Sequence, residues 1–170
     1  LSTNNIDSTI PLPPNDALSQ VFGKNASTCT FDDIASADLV LIFGCDVTTE
    51  YPVVASKIRK VVERGCKLAI VNPQVTRLDS LALMTMKINP KTMVEFLQSM
   101  LNYILHYDLI DHSFVEQRTI GLSSLRRQML RYPIEVVADS LWVKPAKIVE
   151  LIHLYVRAKN PIIMVNADTI

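Results

Sequence analysis

Four apolar runs in this chain each end in a cluster of polar side chains, and those clusters are where binding or chemistry could reside. Leu39-Val40-Leu41-Ile42-Phe43 leads into Gly44-Cys45-Asp46-Val47-Thr48-Thr49, and Leu68-Ala69-Ile70-Val71 leads into Asn72-Pro73-Gln74. Met84-Thr85-Met86-Lys87-Ile88 leads into Asn89-Pro90-Lys91-Thr92, and Pro161-Ile162-Ile163-Met164-Val165 into Asn166-Ala167-Asp168-Thr169. Amides, hydroxyls, carboxylates and an ammonium so placed suit hydrogen bonding to a polar ligand. In open α/β sheets, ligands lie outside the carboxyl ends of parallel strands, where loop amides and helix N-termini point. The spacing locates a crevice for a nucleotide-like ligand and does not name that ligand.

Other chemistries find less support. No GxSxG occurs and no strand end carries a His, so a nucleophilic triad has no basis. His106, His112 and His153 fall on expected helices, or at the start of one, without metal-ligand spacing. Trp142 and the tyrosines Tyr103, Tyr107, Tyr132 and Tyr155 read as helix-packing residues. Cys29, Cys45 and Cys66 are odd in number, widely spaced and free of any CxxC, which reads as reduced thiols of a cytoplasmic-type protein. An iron–sulfur or zinc site within the chain is not expected. Neither GxGxxG nor GxxxxGK[ST] is present, so the dinucleotide fingerprint and the P-loop are both absent. For Asp46, Thr48, Thr49 and Glu50 two readings stand side by side: caps of the helix that starts at residue 51, or ligand contacts. Asn72 and Gln74 likewise read either as a plain turn around Pro73 or as ligand contacts.

The elements that must carry these loops follow from periodicity. Residues 31–37 read as one helical turn before the first strand. Pro52 opens a helix in which Val54, Ile58, Val61 and Val62 recur at helical spacing, and Gly65 ends it. That strand–helix–strand unit implies a parallel pair with a right-handed crossover. From Thr92 a helix runs to about Tyr107 with Met93, Phe96, Leu97, Met100, Leu101 and Ile104 inward. Asp111 caps another through Arg118, Leu122 to Tyr132 and Ile134 to Ser140 are two further pieces, and Pro145 opens a long helix to Lys159. The fold class is therefore α/β, a Rossmann-like doubly wound parallel sheet of about four strands with a helical insert over 109–159 between strands three and four. Residues 1–30 form an irregular lead-in with a short helix from Ala17 to Phe22, and 31–170 form the domain, incomplete at its end.

Composition narrows the partners. The 170 residues balance 17 basic against 17 acidic side chains. No overall field draws in nucleic acid or acidic lipid. Although 49% of residues are apolar, no run approaches the about 20 consecutive apolar residues that a membrane helix needs. No direct membrane insertion and no leader peptide are expected, which places the protein in the cytoplasm. The absence of an initiator Met, and a stop just after a strand, mark the chain as a piece of something longer.

Read in order, several stretches resemble the molybdopterin oxidoreductase family, and within it the formate dehydrogenase branch. Thr3-Asn4-Asn5-Ile6-Asp7 is similar to that branch's TNNID stretch, and Asp33-Ile34 with Ala37 through Gly44 to its "dI-ADliliiG" segment. Tyr51-Pro52-Val53 stands where HPV is usual, and Arg64 through Val71 resembles the approach to its DPR loop. Leu109 through Thr119 is similar to "lyDeeFVaeRT". The resemblance spans nearly the whole chain. It implies a domain that holds the nucleotide arm of a molybdopterin guanine dinucleotide, with contacts at Gly44, Cys45, Asp46, Thr49, Asn72, Gln74, Asn89, Lys91 and Thr92. It implies no catalytic residue within the chain.

Departures from the family qualify that role. Asp-Pro-Arg is here Asn72-Pro73-Gln74, which removes a carboxylate able to accept two bonds from a guanine edge and a guanidinium able to hold a phosphate. PGTD becomes Asn89-Pro90-Lys91-Thr92, read as Pro in place of Gly, with Lys91 restoring one positive charge. Where formate dehydrogenases place a Cys or selenocysteine followed by His, this chain has Ser8-Thr9-Ile10-Pro11-Leu12-Pro13-Pro14, with no sulfur to ligate molybdenum or tungsten. The resemblance thus implies a formate dehydrogenase-like subunit with a degenerate metal site, acting mainly as scaffold in a redox complex. The large iron–sulfur subunit of NADH–quinone oxidoreductase fits this description as a family. The pterin cofactor is then lost here, iron–sulfur clusters lie only outside this piece, and the partners are other domains of the parent and other redox subunits at the inner face of a membrane. The parent is an oxidoreductase of either kind, and this piece alone is inactive. The alternative is a working bis-molybdopterin guanine dinucleotide domain of a formate dehydrogenase-type enzyme. A third reading is a free-standing nucleotide-binding module.

Overall fold

Leu39–Phe43 (β1) is apolar at every position and buried at every position. A strand with two apolar faces needs a layer on each side, the signature of a central parallel strand. The computed structural model, which describes residues 27–165, places it so. The chain divides into two compact units, Leu1–Thr30 and Phe31–Ile170, and the architecture that follows is that of the second. Around β1 lie Lys67–Val71 (β2), Met84–Met86 (β3) and Pro161–Val165 (β4), all parallel, in the order β3-β2-β1-β4. Phe43 registers with Val71 and Val165, and Val71 with Met86. The strands therefore end level, and their following loops emerge side by side.

Helices flank both faces, as the sequence implies for a doubly wound sheet. Phe31–Ser36 (α1) precedes β1, and Val47–Glu50 (α2) and Pro52–Glu63 (α3) connect it to β2. Met93–His106 (α4), His112–Arg118 (α5), Leu122–Met129 (α6), Ile134–Leu141 (α7) and Pro145–Arg157 (α8) fill the interval between β3 and β4. Leu39, Leu41 and Phe43 form one core cluster with Phe96, Met100, Leu141, Ile148 and Leu151 from α4, α7 and α8. Val40 and Ile42 alternate to the other face, where Ile58 and Val61 are the deeply buried side chains of α3. Gly65, at φ +102°, closes α3 by letting its own N–H reach Val62 O and that of Cys66 reach Val61 O. Asp38 pins the far edge: its carboxylate accepts the N–H groups of Lys159 (2.7 Å) and Asn160 (2.9 Å), which hold its carboxyl below the usual range.

Some expectations shift. β3 stops at Met86, the last residue registered with β2, whose carbonyl accepts the Asn72 N–H at 3.0 Å. Expected helices end earlier at Met129 and Arg157 and later at Leu141. Trp142 is a correction: it is 69% exposed rather than buried between helices. It occupies the left-handed position after α7 (φ +61°), its N–H returning to Ala138 O and Asp139 O, an end usually given to glycine. Tyr107 is exposed too, though its ring lies 4.3 Å from that of Tyr103. The expected Ala17–Phe22 helix lies outside the described residues. Among the described residues no helix is long and apolar enough to cross a membrane.

Candidate functional site

At the carboxyl edge of the sheet a crevice of about 490 Å³ opens between the loops that follow β1, β2 and β3. Gly44, Asp46, Asn72, Gln74, Asn89 and Lys91 line it. Cys45 and Thr92, also expected there, are buried away from it, and Thr49 is exposed outside it. Asn166 through Thr169 lie outside the described residues. Concavities of similar volume occur at the opposite strand edge, beside Lys67 and Arg157, and on α6 beside Arg127 and Arg131. Size does not select the site; the convergence of strand ends does.

The first loop starts at Gly44, whose φ of +62° suits a residue without Cβ and whose N–H donates to Val71 O at 2.9 Å. Asp46 then caps α2. Its Oδ1 accepts the Thr48 N–H (3.1 Å) and hydroxyl (2.5 Å), and its Oδ2 the Thr49 hydroxyl (2.6 Å). The Thr48 and Thr49 hydroxyls hold the Asp46 carboxyl below the usual range. Glu50 Oε1 in turn accepts the Asp46 N–H at 3.0 Å. Capping therefore begins at Asp46 and serves α2; Tyr51, which precedes α3, offers no side-chain cap. Burial, with Glu50 beside it, pushes the Cys45 thiol up to about 12, so this sulfur stays protonated at neutral pH.

The second loop is fixed from two sides. Asn72, 7% exposed, receives no solvent-facing role: its N–H donates to Met86 O (3.0 Å) and its Nδ2 to Cys45 O (3.4 Å). Lys87 Nζ donates to Gln74 O and to Asp79 Oδ2, both at 2.6 Å. Asp79 Oδ1 accepts the Thr76 hydroxyl (2.6 Å) and N–H (3.2 Å). Burial pushes the Asp79 carboxyl up, but the bonds from Lys87 and Thr76 together outweigh it and hold it below the usual range. In the third loop Asn89 donates its N–H to Leu141 O (3.2 Å) and its Nδ2 to Ser140 O (3.1 Å), while Thr92 Oγ1 donates to Asn89 O at 2.7 Å.

Lys91 has φ +74°, and Pro90 does not. That left-handed conformation is one that glycine adopts most easily, and here a lysine holds it. Lys91 is the one ammonium among the lining residues, set against the carboxylates of Asp46 and Glu50. Among the described residues no group of His, Cys, Asp and Glu could hold a metal ion. Ile88 and Met93 supply an apolar wall that the strand-end rule did not single out. The Lys87–Asp79–Thr76 network and the Ser140 and Leu141 acceptors were also missed, for no local motif announces partners so far along the chain.

Residues 2–168 match the family described as molybdopterin oxidoreductase. The alpha subunit of F420-dependent formate dehydrogenase 2 from Methanococcus maripaludis is 29% identical over 167 residues, which is 96% of this chain and 25% of that protein. Formate dehydrogenase H of Escherichia coli is 26% identical over 167 residues, 96% of this chain and 23% of that protein. The chain thus spans about a quarter of the length of these curated relatives. Among solved structures, acetylene hydratase from Pelobacter acetylenicus superposes with a TM-score of 0.71 at 22% identity, over 76% of this chain and 18% of that one, a likeness of fold.

Proposed function

Because the chain belongs to the molybdopterin oxidoreductase family, we propose that it serves as a scaffold domain of a larger formate dehydrogenase-like subunit, in which the crevice keeps its shape without gripping a nucleotide arm. The observation that carries this reading is the state of the rim. Asp46 is bound by Thr48 and Thr49, Glu50 by the Asp46 N–H, Asn72 by Cys45, Asn89 by Ser140 and Thr92 by Asn89. A pyrophosphate arm needs cations and free N–H donors. Here it meets two carboxylates and one ammonium, so the residues present do not fit the guanine dinucleotide form of the cofactor in charge, although the volume is ample.

The wider reading follows from the same facts and from the sequence of the lead-in. Ser8–Pro14 holds no sulfur ligand, which supports reading the metal site as degenerate, the iron–sulfur clusters as outside this piece, and the parent as of the kind of the large subunit of NADH–quinone oxidoreductase. Its partners are then the remaining domains and neighbouring redox subunits, on the cytoplasmic side of a membrane. On this reading residues 31–170 form the Rossmann-like domain, with 109–159 its insert. The second reading, a working cofactor-arm domain, is favoured by Gln74 and Lys91, which line the crevice and whose side chains make no hydrogen bond or ion pair among the described residues.

Calorimetric titration of the chain with GDP separates the two. The scaffold reading expects no binding tighter than about 10 µM, roughly −7 kcal/mol; tighter binding overturns it. Near-stoichiometric molybdenum or tungsten in the longer parent overturns the degenerate metal site.

A further inference from the structure

We propose that Asn72 is a clasp of the crevice rim, and that its place in this chain requires a neutral amide donor rather than the carboxylate of the family's Asp-Pro-Arg. The inference rests on the scaffold reading and states which residue makes the rim independent of a ligand. Asn72 directly follows Val71, the last residue of β2, which registers with Phe43 of β1 and Met86 of β3. Its N–H donates to Met86 O and its Nδ2 to Cys45 O, and the residue is 7% exposed. One residue thereby joins the ends of three strands, and its amide satisfies a buried carbonyl at the turn into α2. A carboxylate has no hydrogen to donate there. It would set an oxygen against the Cys45 carbonyl oxygen at a residue only 7% exposed, where two facing acceptors are costly. The introduced charge would also share the rim with the Asp46 and Glu50 carboxylates.

The test is thermal unfolding of the whole chain as wild type, Asn72→Asp and Asn72→Leu, from about pH 8 down to about pH 4, a span that brackets carboxyl titration. At the alkaline end Asn72→Asp lowers Tm by roughly 3–9 °C, the loss expected for an unsatisfied buried acceptor in a chain of this size. Burial raises the folded pKa of the introduced carboxyl above its unfolded value, so the loss is full above the folded pKa and fades as the pH falls through it. Once protonated, the carboxyl donates its O–H to Cys45 O and replaces the amide. The groups sharing the rim, Cys45, Asp46, Glu50 and Lys91, are common to wild type, which serves as the reference at each pH. Asn72→Leu stays low throughout. No loss at the alkaline end, or a loss that acid does not relieve, overturns the clasp alone. If Asn72→Asp binds GDP below about 10 µM, residue 72 faces a ligand, and the clasp falls together with the scaffold reading.

Discussion

Replacing Lys87 by Met removes the ammonium that fastens the Gln74 loop to the segment just after β3. The ammonium gives up two bonds of 2.6 Å, to Gln74 O and to Asp79 Oδ2. Its side chain is 40% exposed and that of Asp79 14%, so the ion pair is partly screened and contributes about 0.5–1 kcal/mol. The bond to the Gln74 carbonyl adds about 1 kcal/mol at this exposure. Asp79 keeps its two bonds from Thr76, which limits the damage. Lys87→Met should therefore cost about 1–2 kcal/mol, a fall in Tm of roughly 3–8 °C, with Lys87→Arg recovering part of it. Hydrogen exchange should quicken over 74–79 and not in α4. The pH dependence follows from Asp79, whose carboxyl lies below the usual range in the fold. Such a group contributes stability above its unfolded pKa, about 3.9, and loses it as the pH falls through the folded value. The gap between Lys87→Met and wild type is thus widest at neutral pH and narrows in acid below that range to the share of the Gln74 bond. A variant within about 0.3 kcal/mol of wild type at pH 7, or a gap that widens in acid, refutes the reasoning.

Two further outcomes are expected. Burial raises both the Cys45 and Cys66 thiols, Cys45 to about 12, leaving about one Cys45 in ten thousand as thiolate at pH 8. With Cys29 the half-buried exception, a disulfide reagent should label one thiol quickly in the folded chain and all three in denaturant; two fast thiols contradict the burial. Lys91→Gly relieves a left-handed backbone that costs a side-chain-bearing residue about 1–2 kcal/mol, offset by the roughly 0.5–1 kcal/mol of added chain entropy. Its Tm should rise by about 1–4 °C while Lys91→Ala gains nothing; a fall for the glycine variant rules out the strain.

How far the sequence foretold this can be judged residue by residue. β1, β2 and β4 were legible because uninterrupted apolar runs have few other uses in a chain this short. α3 was legible because Pro52 and Gly65 punctuate it and Ile58 and Val61 hold helical spacing between them. The crevice was legible to the extent that parallel strands in register bring their trailing loops to one rim. What escaped was partly tertiary and partly local backbone geometry. Lys87 looks like a strand residue until Asp79 and the Gln74 carbonyl claim its ammonium. Four-residue α2 exists because Asp46 and Glu50 satisfy each other's turn, a local bargain that periodicity is too coarse to register. Backbone sign is invisible in side-chain identity, so neither Trp142 nor Lys91 announced a left-handed conformation.

The same bonds decide whether the crevice can hold an anion. A ligand that engaged Asn72 and Asn89 would have to replace their bonds to Cys45 and Ser140, at about 0.5–1.5 kcal/mol each. In return Lys91 offers one charge-assisted bond of about 1.5–3 kcal/mol, weakened by the Asp46 and Glu50 carboxylates on the same rim. Gain and loss nearly cancel before the further cost, several kcal/mol, of immobilising the ligand. Nor does the fold need such a ligand to shape these loops, since Asn72 joins three strand ends and Asn89 ties β3 to α7 without one. A rim whose polar side chains, Gln74 and Lys91 apart, are bonded within the fold is poor at gripping a cofactor arm, which is what the proposed scaffold reading requires.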